Sequence, residues 1–470
     1  MSSKSNEKKS SGRPWRDNIE AVTVSIITIV LFKYFVLEAY KIPTGSMQPT
    51  LMGNTETGIF DRVLVDKFSP HYRELERFEV VVFKYPLNQA QNFIKRIVGM
   101  PGEELKIVDG DVWVRPNDAP RTEYDDGWRA LQRPRPIQNT QLRRLNTAEE
   151  WRFEGQGWSA DDGTLVAPGP GRAEYPRTMT SIRDGYTDGY PKGLVSKIDT
   201  RMKRSASNDV SDLRTTATVR ADAETTEVRI VLREGKRRFR FILPGPAAKA
   251  DARPTLEAFD PSGEMVLLTS VAPEPWRLRS GKGIDVLAQN LDDLLTLELE
   301  GGPTLTLPVP PSGSERTSSV AFELDGAGAR IEDVEVFRDI FYTTIGQRVT
   351  HWTIPEGSYV MLGDNSQDSS DGRDWHLAGI RVLDGPDKDQ VVRGNDRQRE
   401  NPRWVDGSDG GQVFFRDELG ELHWYPTSEV ESLSPIPAPL VPLGNIIGRA
   451  VLVVWPMSPK YDVYRLKWVR

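Results

Sequence analysis

Ser46 stands in "KIPTGSMQPTL" (residues 41–51), with Gly45 before it and Met47 after it. Pro43 and Pro49 stiffen the turn, and Gly45 lets the backbone approach a bound group closely. A serine held this way can act as a nucleophile once a base takes its proton. Taken alone the pattern is weak, because serines in Gly/Pro turns are mostly turn residues.

A base is on offer in "NFIKRIVGMPGE" (92–103). In a strand, alternate side chains share a face. Lys95 then lies between Phe93 and Ile97, while Arg96 lies with Ile94 and Val98. An ammonium between two large apolar side chains is partly desolvated, so its pKa falls. Moving a lysine from ~10.4 to near 7.5 takes about 4 kcal/mol, which burial can supply. The plainer reading is a strand lysine whose stem covers apolar surface.

The third stretch is "MLGDNSQDSSDGRDW" (361–375), which packs Gly, Asp, Asn, Ser and one Arg into a tight loop. Such a loop can orient another group by hydrogen bonds. It can equally be a solvated turn, and it lacks the spacing and final Glu of an EF-hand.

The elements that must position these residues are mostly strands. "RVLVDKF" (62–68), "FEVVVFKYP" (78–86) and "NFIKRIVG" (92–99) are short runs rich in Val, Ile and Phe. "EELKIVDGDVWV" (103–114) alternates about an Asp-Gly turn, a strong hairpin signal. After residue 116, Pro, Arg, Asp and Gly dominate to about 197, which predicts a loop-rich region. Alternation returns from about 217 and continues to 336, as in a β-sandwich module. Short strands resume at 351, a polar stretch fills 377–438, and "NIIGRAVLVVWP" (445–456) closes the chain with an apolar strand.

Before all of these comes "AVTVSIITIVLFKYFVL" (21–37), with Lys33 as its one charge. Residues 19–40 supply the roughly 20 that a bilayer-spanning helix takes. Lys33 can snorkel, and Phe32, Tyr34, Phe35 and Tyr40 crowd the same end. The following "LEAYKIP" lacks an A-x-A-like cleavage pattern, which favours an uncleaved anchor. Lys4, Lys8, Lys9, Arg13 and Arg16 precede the run, and the positive-inside rule puts that tail in the cytoplasm. Ser46 is then expected just beyond the outer interface.

Composition narrows the chemistry. The 470 residues allow two or three domains, and a net charge of -7 argues against a nucleic-acid partner. The absence of cysteine removes disulfides, thiolate metal sites and cysteine nucleophiles. His71, His351, His376 and His423 form no metal-binding pair motif, so neither metal nor other cofactor is expected.

Taken together, the anchor, "IPTGSMQPTL", "VLVDKF", "VVVFKYP", "FIKRIVGMPG", "GDNSQDSSDGR" and "IIGRAVLVVWP" resemble type I signal peptidases, membrane-anchored serine proteases. The likeness is collinear and covers residues 17–116, 341–376 and 441–457. It implies Ser46 as nucleophile and Lys95 as general base, with an oxyanion hole from the Ser46 backbone N–H and the Thr44 hydroxyl. It implies that Ser369 bonds the lysine, that Asp371 and Arg373 brace the loop, and that Ile42, Met47, Leu51 and Ile94 line a pocket for small side chains. The sequence departs from the family at Ser366, at Gly372 and at Glu103, which puts the support of that loop in question.

The expected protein is mainly β: a cytoplasmic tail (1–18), a single transmembrane helix (19–40), a signal-peptidase-like catalytic core (41–116, 338–376 and 439–470), an inserted loop-rich and β-sandwich-like module (117–337) and a polar insertion (377–438). The resemblance implies a protein of the cell membrane, its catalytic domain on the outer side, acting on precursors that carry signal peptides. The lipid bilayer and the export machinery are the implied partners. Two other readings stand beside it. One is a Ser-His-Asp hydrolase using Ser46, His351 or His376, and Asp364 or Asp371. The other is a catalytically inactive, membrane-tethered binding protein working through its β-rich insert.

Overall fold

The computed structural model describes residues 14–54, 58–119, 126–145, 147, 150–161, 163–177, 181–190, 208–260, 265–310, 317–343, 351–396, 401–407, 410–458 and 463–470. Most of the expected tail, residues 1–13, lies outside them.

The apolar run forms one helix, Pro14–Phe35. Its window Asn18–Phe35 has mean hydropathy 1.5 and none of it is buried, so by length and composition it can cross a membrane. The helix ends earlier than the expected residue 40. Leu37–Lys41 is instead a strand paired with Arg62–Asp66. Polar pairing explains the switch: Glu38 meets Lys67 at 3.3 Å and accepts the Tyr40 hydroxyl at 2.9 Å. Only Val36 separates helix from sheet.

That strand starts an antiparallel sheet in the order 37–41, 62–66, 446–455, 80–85, 88–99, 358–362 and 440–442. N-terminal, central and C-terminal segments thus meet in one layer. A second sheet runs 351–354, 103–108, 111–116 and 129–130. Its tight hairpin turns at Asp109 and Gly110, both at positive φ (59° and 94°), as a two-residue primed turn requires. Apolar residues on both faces of the first sheet build separate clusters. One gathers Ile42, Met47, Leu51 and Val82, another Phe83, Ile97, Met361 and Trp375.

The region expected to be loop-rich is more ordered than its composition suggests. The strand 129–130 belongs to the second sheet, and Leu131 packs on the core beside Trp352 and Ile354. A helix, Arg135–Gln141, and the strand Arg143–Arg144 follow. The strands 152–154, 159–161, 164–167 and 171–175 then join a sandwich of eight- and seven-stranded sheets that otherwise spans 213–338. Trp151, Trp158, Leu165 and Tyr175 are buried in its core with Phe239, Phe241 and Phe322. Short strands separated by Gly and Pro hide their period, because two or three alternations are too few to stand out.

The stretch 377–438 also has a core of its own. Two three-stranded sheets bury Ile380, Val382, Val413, Phe415 and Tyr425.

Because the N-terminal helix touches the sheet at one end only, a chain starting at residue 36 should keep its β-fold. We expect an unchanged far-ultraviolet circular dichroism shape after allowing for the lost helix, and a melting transition within a few degrees of the parent.

Candidate active site

Ser46 sits in a tight turn closed by Gln48 N–H donating to Gly45 O (3.0 Å) and Leu51 N–H donating to Met47 O (2.8 Å). The turn is packed from below by Gly53. A Cβ there would lie 2.5–2.8 Å from backbone atoms of Ile42 and Thr44, so only glycine lets the two segments touch. Gly45 faces the Gln48 side chain, whose Nε2 donates to Gly53 O at 3.2 Å.

Lys95 lies on the strand Asn88–Gly99, opposite Val81 of the neighbouring strand. It is 4% exposed and Ser46 is 7% exposed. Lys95 Nζ donates to Ser46 Oγ at 2.6 Å. The Phe93 ring centroid is 5.7 Å from the same nitrogen, in keeping with the strand alternation. Neither histidine of the rival arrangement is bonded to Ser46: His351 pairs with Glu104 at 2.7 Å, and His376 Nδ1 lies 3.0 Å from Asp374 O.

The 363–373 loop grips the serine turn. Asn365 N–H donates to Ser46 O (3.1 Å) and its Nδ2 donates to Gly45 O (3.0 Å). Gly363 allows this approach, since a Cβ would lie 2.6 Å from Ser46 O and 2.0 Å from Ser369 Oγ. Asp371 and Arg373 form a two-pronged pair at 2.9 and 2.8 Å, both buried, and Asp371 also accepts Gly363 N–H at 2.9 Å. The departures from the family pattern are built into this brace. Ser366 Oγ accepts from Arg373 Nη1 (2.9 Å) and Thr343 N–H (2.9 Å), and Gly372 N–H donates to Met361 O (3.0 Å). Glu103 takes a paired bond from Arg77 and accepts Met100 N–H.

Ser369 is 8% exposed, and its hydroxyl stands beside Gly363 and the Asp371 carboxyl, which it helps to hold ionised. Thr44 is exposed beside the turn. Ile42, Met47 and Leu51 are sealed in one apolar cluster, and Ile94 is half-buried at its rim.

Several positioning residues were not singled out by sequence reasoning. Arg96, next to Lys95, is wholly buried and pairs with Asp364 through Nε–Oδ1 (2.8 Å) and Nη2–Oδ2 (2.6 Å). Thr50 Oγ1 (2.5 Å) and Gln141 Nε2 (3.0 Å) also donate to Asp364. Arg465, near the C-terminus, pairs with Asp61 and donates to Pro49 O (3.2 Å) and Thr50 O (3.1 Å). The one signal for Arg96 was a charge alternating with Ile94 and Val98, which marks a buried position needing a partner.

Burial alone would push the Asp364 carboxyl up. The Arg96 guanidinium, with hydrogen bonds from Arg96, Thr50 and Gln141, outweighs it and holds the group below the usual carboxylate range. At Asp371 burial is likewise outweighed, by Arg373 and by the Gly363 N–H.

Comparison with known proteins agrees with the motifs. Residues 15–154 match the family described as signal peptidase, peptidase S26. The chain is 38% identical over 106 residues to a probable signal peptidase I-2 of Synechocystis sp., covering 21% of this chain and 45% of that protein. It is 26% identical over 134 residues to a signal peptidase I of Rickettsia massiliae, covering 26% of this chain and 49% of that protein. The chain thus spans about half the length of these relatives. The resemblance to type I signal peptidases holds over this N-terminal segment. Among solved structures, the CBM2 module of a Lactobacillus casei BL23 phage J-1 evolved Dit aligns with TM-score 0.29 and 11% identity, over 43% of this chain and 97% of that one. The carbohydrate-binding module CBM66 of Bacillus subtilis aligns with TM-score 0.26 and 12% identity, over 40% and 96%. Likenesses this slight do not bear on function.

Both lowered carboxyls tie stability to pH. Their folded-state pKa lies below the unfolded value of about 3.9, so their contribution is complete above that value and is lost as pH falls through the folded one. Melting temperature should therefore drop in the acid range below about pH 4. Asp364→Asn leaves the buried Arg96 without its counter-charge and should cost about 3–5 kcal/mol, read from denaturant titration.

Proposed function

We propose that this protein is a membrane-anchored serine endopeptidase that removes N-terminal signal peptides from exported precursors. The observation that carries the reading is the 2.6 Å contact between Lys95 Nζ and Ser46 Oγ in a buried setting. The peptidase S26 match over residues 15–154 supports it.

In this reading Ser46 Oγ attacks the scissile carbonyl carbon while a neutral Lys95 takes the hydroxyl proton. The tetrahedral oxyanion is met by the Ser46 N–H and the Thr44 hydroxyl, and a preorganised donor of this kind is worth roughly 3–4 kcal/mol. Lys95, now an ammonium, gives its proton to the leaving amine. Water, deprotonated by Lys95, then hydrolyses the ester on Ser46 and frees the new carboxyl end. Asp371, Arg373 and Asn365 hold the loop that fixes Ser46. The Pro14–Phe35 helix crosses the bilayer with its basic flank in the cytoplasm. The catalytic sheet follows it after one residue on the outer side, where a precursor's apolar segment emerges.

A lysine base must be neutral, so the rate of precursor cleavage should rise with pH through the Lys95 titration and then level off. Lys95→Arg should be inactive, because a guanidinium stays protonated. Precursor cleavage by that variant at a tenth of the parental rate or more would rule out the lysine as base.

Substrate choice tests the apolar cluster. In this reading the residue before the cleaved bond packs against the cluster of Ile42, Met47 and Leu51 with Ile94 at its rim, and only small side chains should be accommodated, since added bulk against a closely packed apolar surface costs binding. A precursor with Ala there should be cut and its Phe variant left intact. Equal cleavage of both would reject this pocket.

A further inference from the structure

Arg143 is 5% exposed and lies on the strand Arg143–Arg144, whose register pairs it with Arg338 at the end of a sandwich strand. Its Nη2 donates to two carbonyls at once: Gln48 O, two residues beyond Ser46, and Asp364 O at 2.5 Å, one residue before Asn365. Gln48 N–H closes the turn that carries Ser46, and Asn365 grips Ser46 O and Gly45 O. One guanidinium nitrogen therefore joins the two loops that carry and brace the serine.

Neighbouring contacts run the same way. Gln141 Nε2 reaches Asp364 Oδ1 at 3.0 Å. On the loop side, Gln367 Nε2 donates to Asp184 O (2.6 Å), and the Tyr186 hydroxyl lies 3.3 Å from Asp368 Oδ2. Arg338 Nε pairs with Asp188 at 2.6 Å, which fastens the 184–188 turn to the same end of the sandwich.

We infer that the sandwich module is part of the catalytic apparatus, with Arg143 as the positioning residue that locks the Ser46 turn to the 363–369 loop. The inference rests on the dyad reading above. Excising the chain from residue 117 would take with it Gln141, Arg143 and the strand 129–130. Arg143 touches neither nucleophile nor substrate pocket, so it acts on the geometry of the turn. Misplacing a reacting group by about 1 Å costs on the order of 10²-fold in rate.

The test uses the full-length protein in detergent or vesicles and one precursor with Ala before the cleaved bond. Arg143→Met should lower kcat about 10²-fold with KM within about twofold of the parent, the split expected when a transition-state interaction alone is lost. Arg143→Lys, which keeps charge and donors on a shorter stem, should recover part of that loss. Gln141→Met should fall between Arg143→Met and the parent. A cooperative melt shows whether each variant is folded. A folded Arg143→Met with parental kcat overturns the inference. If Arg143→Met does not fold, Arg143→Lys and Gln141→Met both at parental kcat overturn it. Ser46→Ala and Lys95→Ala are run alongside. Cleavage that survives either of them sinks the dyad itself, whereas loss in both with parental kcat in Arg143→Met sinks only the role of Arg143.

Discussion

The pair between Arg96 and Asp364, with neither side chain exposed, is the contact on which the site depends. Arg96 is covalently next to Lys95, and Asp364 is covalently next to Asn365, which holds the Ser46 carbonyl. Fixing these two side chains therefore fixes the Lys95 strand against the loop that holds Ser46. Removing two charges from water is costly, and the attraction between them offsets this only when the remaining donors and acceptors are also satisfied. Here they are. Arg96 Nη1 donates to Phe78 O at 2.7 Å, and Thr50 and Gln141 complete the carboxylate. The value of such a pair lies in specificity of geometry more than in net stability, because losing either partner strands the other.

The same economy governs the Ser46 turn. Its carbonyls point outward from a tight bend and cannot all be satisfied within it. Gly45 O and Ser46 O are taken by Asn365, Gln48 O by Arg143, and Pro49 O and Thr50 O by Arg465. These donors come from three remote parts of the chain, two of them long arginine side chains. Guanidinium groups suit the task because one planar group offers several donors in fixed directions. The turn is thus held by its backbone, which leaves the Ser46 hydroxyl directed at Lys95.

Much of this was legible in the sequence. Alternation in "NFIKRIVG" placed Lys95 and Arg96 on opposite faces, and the Asp-Gly signal located a hairpin that the structure has at residues 103–116. The motif resemblance brought residues 46, 95 and 371–373 into one region. What stayed hidden had a common physical form: a polar side chain whose partner is far away in sequence. Gln141 meets Asp364 across 223 positions, and Arg143 meets Gln48 across 95. No local period encodes such pairs.

The inserted regions follow from the same account of what composition can hide. Between 377 and 438, runs such as Asp384–Asp389 and Asp417–Glu421 put charges in turns, while the apolar residues that matter, Ile380, Val413 and Phe415, sit in strands of five to seven residues. A stretch can therefore look polar on average and still bury a core, because one face of a short strand needs only two or three apolar side chains. The 117–145 segment shows the further step. Its described residues 126–145 are too few to make a core, and they attach to two existing ones: Leu131 to the cluster of Trp352 and Ile354, and Arg143–Arg144 to the sandwich edge. A segment fastened on both sides transmits the position of one to the other. A boundary at residue 117 therefore leaves Gln141 and Arg143 on one side and the Asp364 and Gln48 groups they bond on the other.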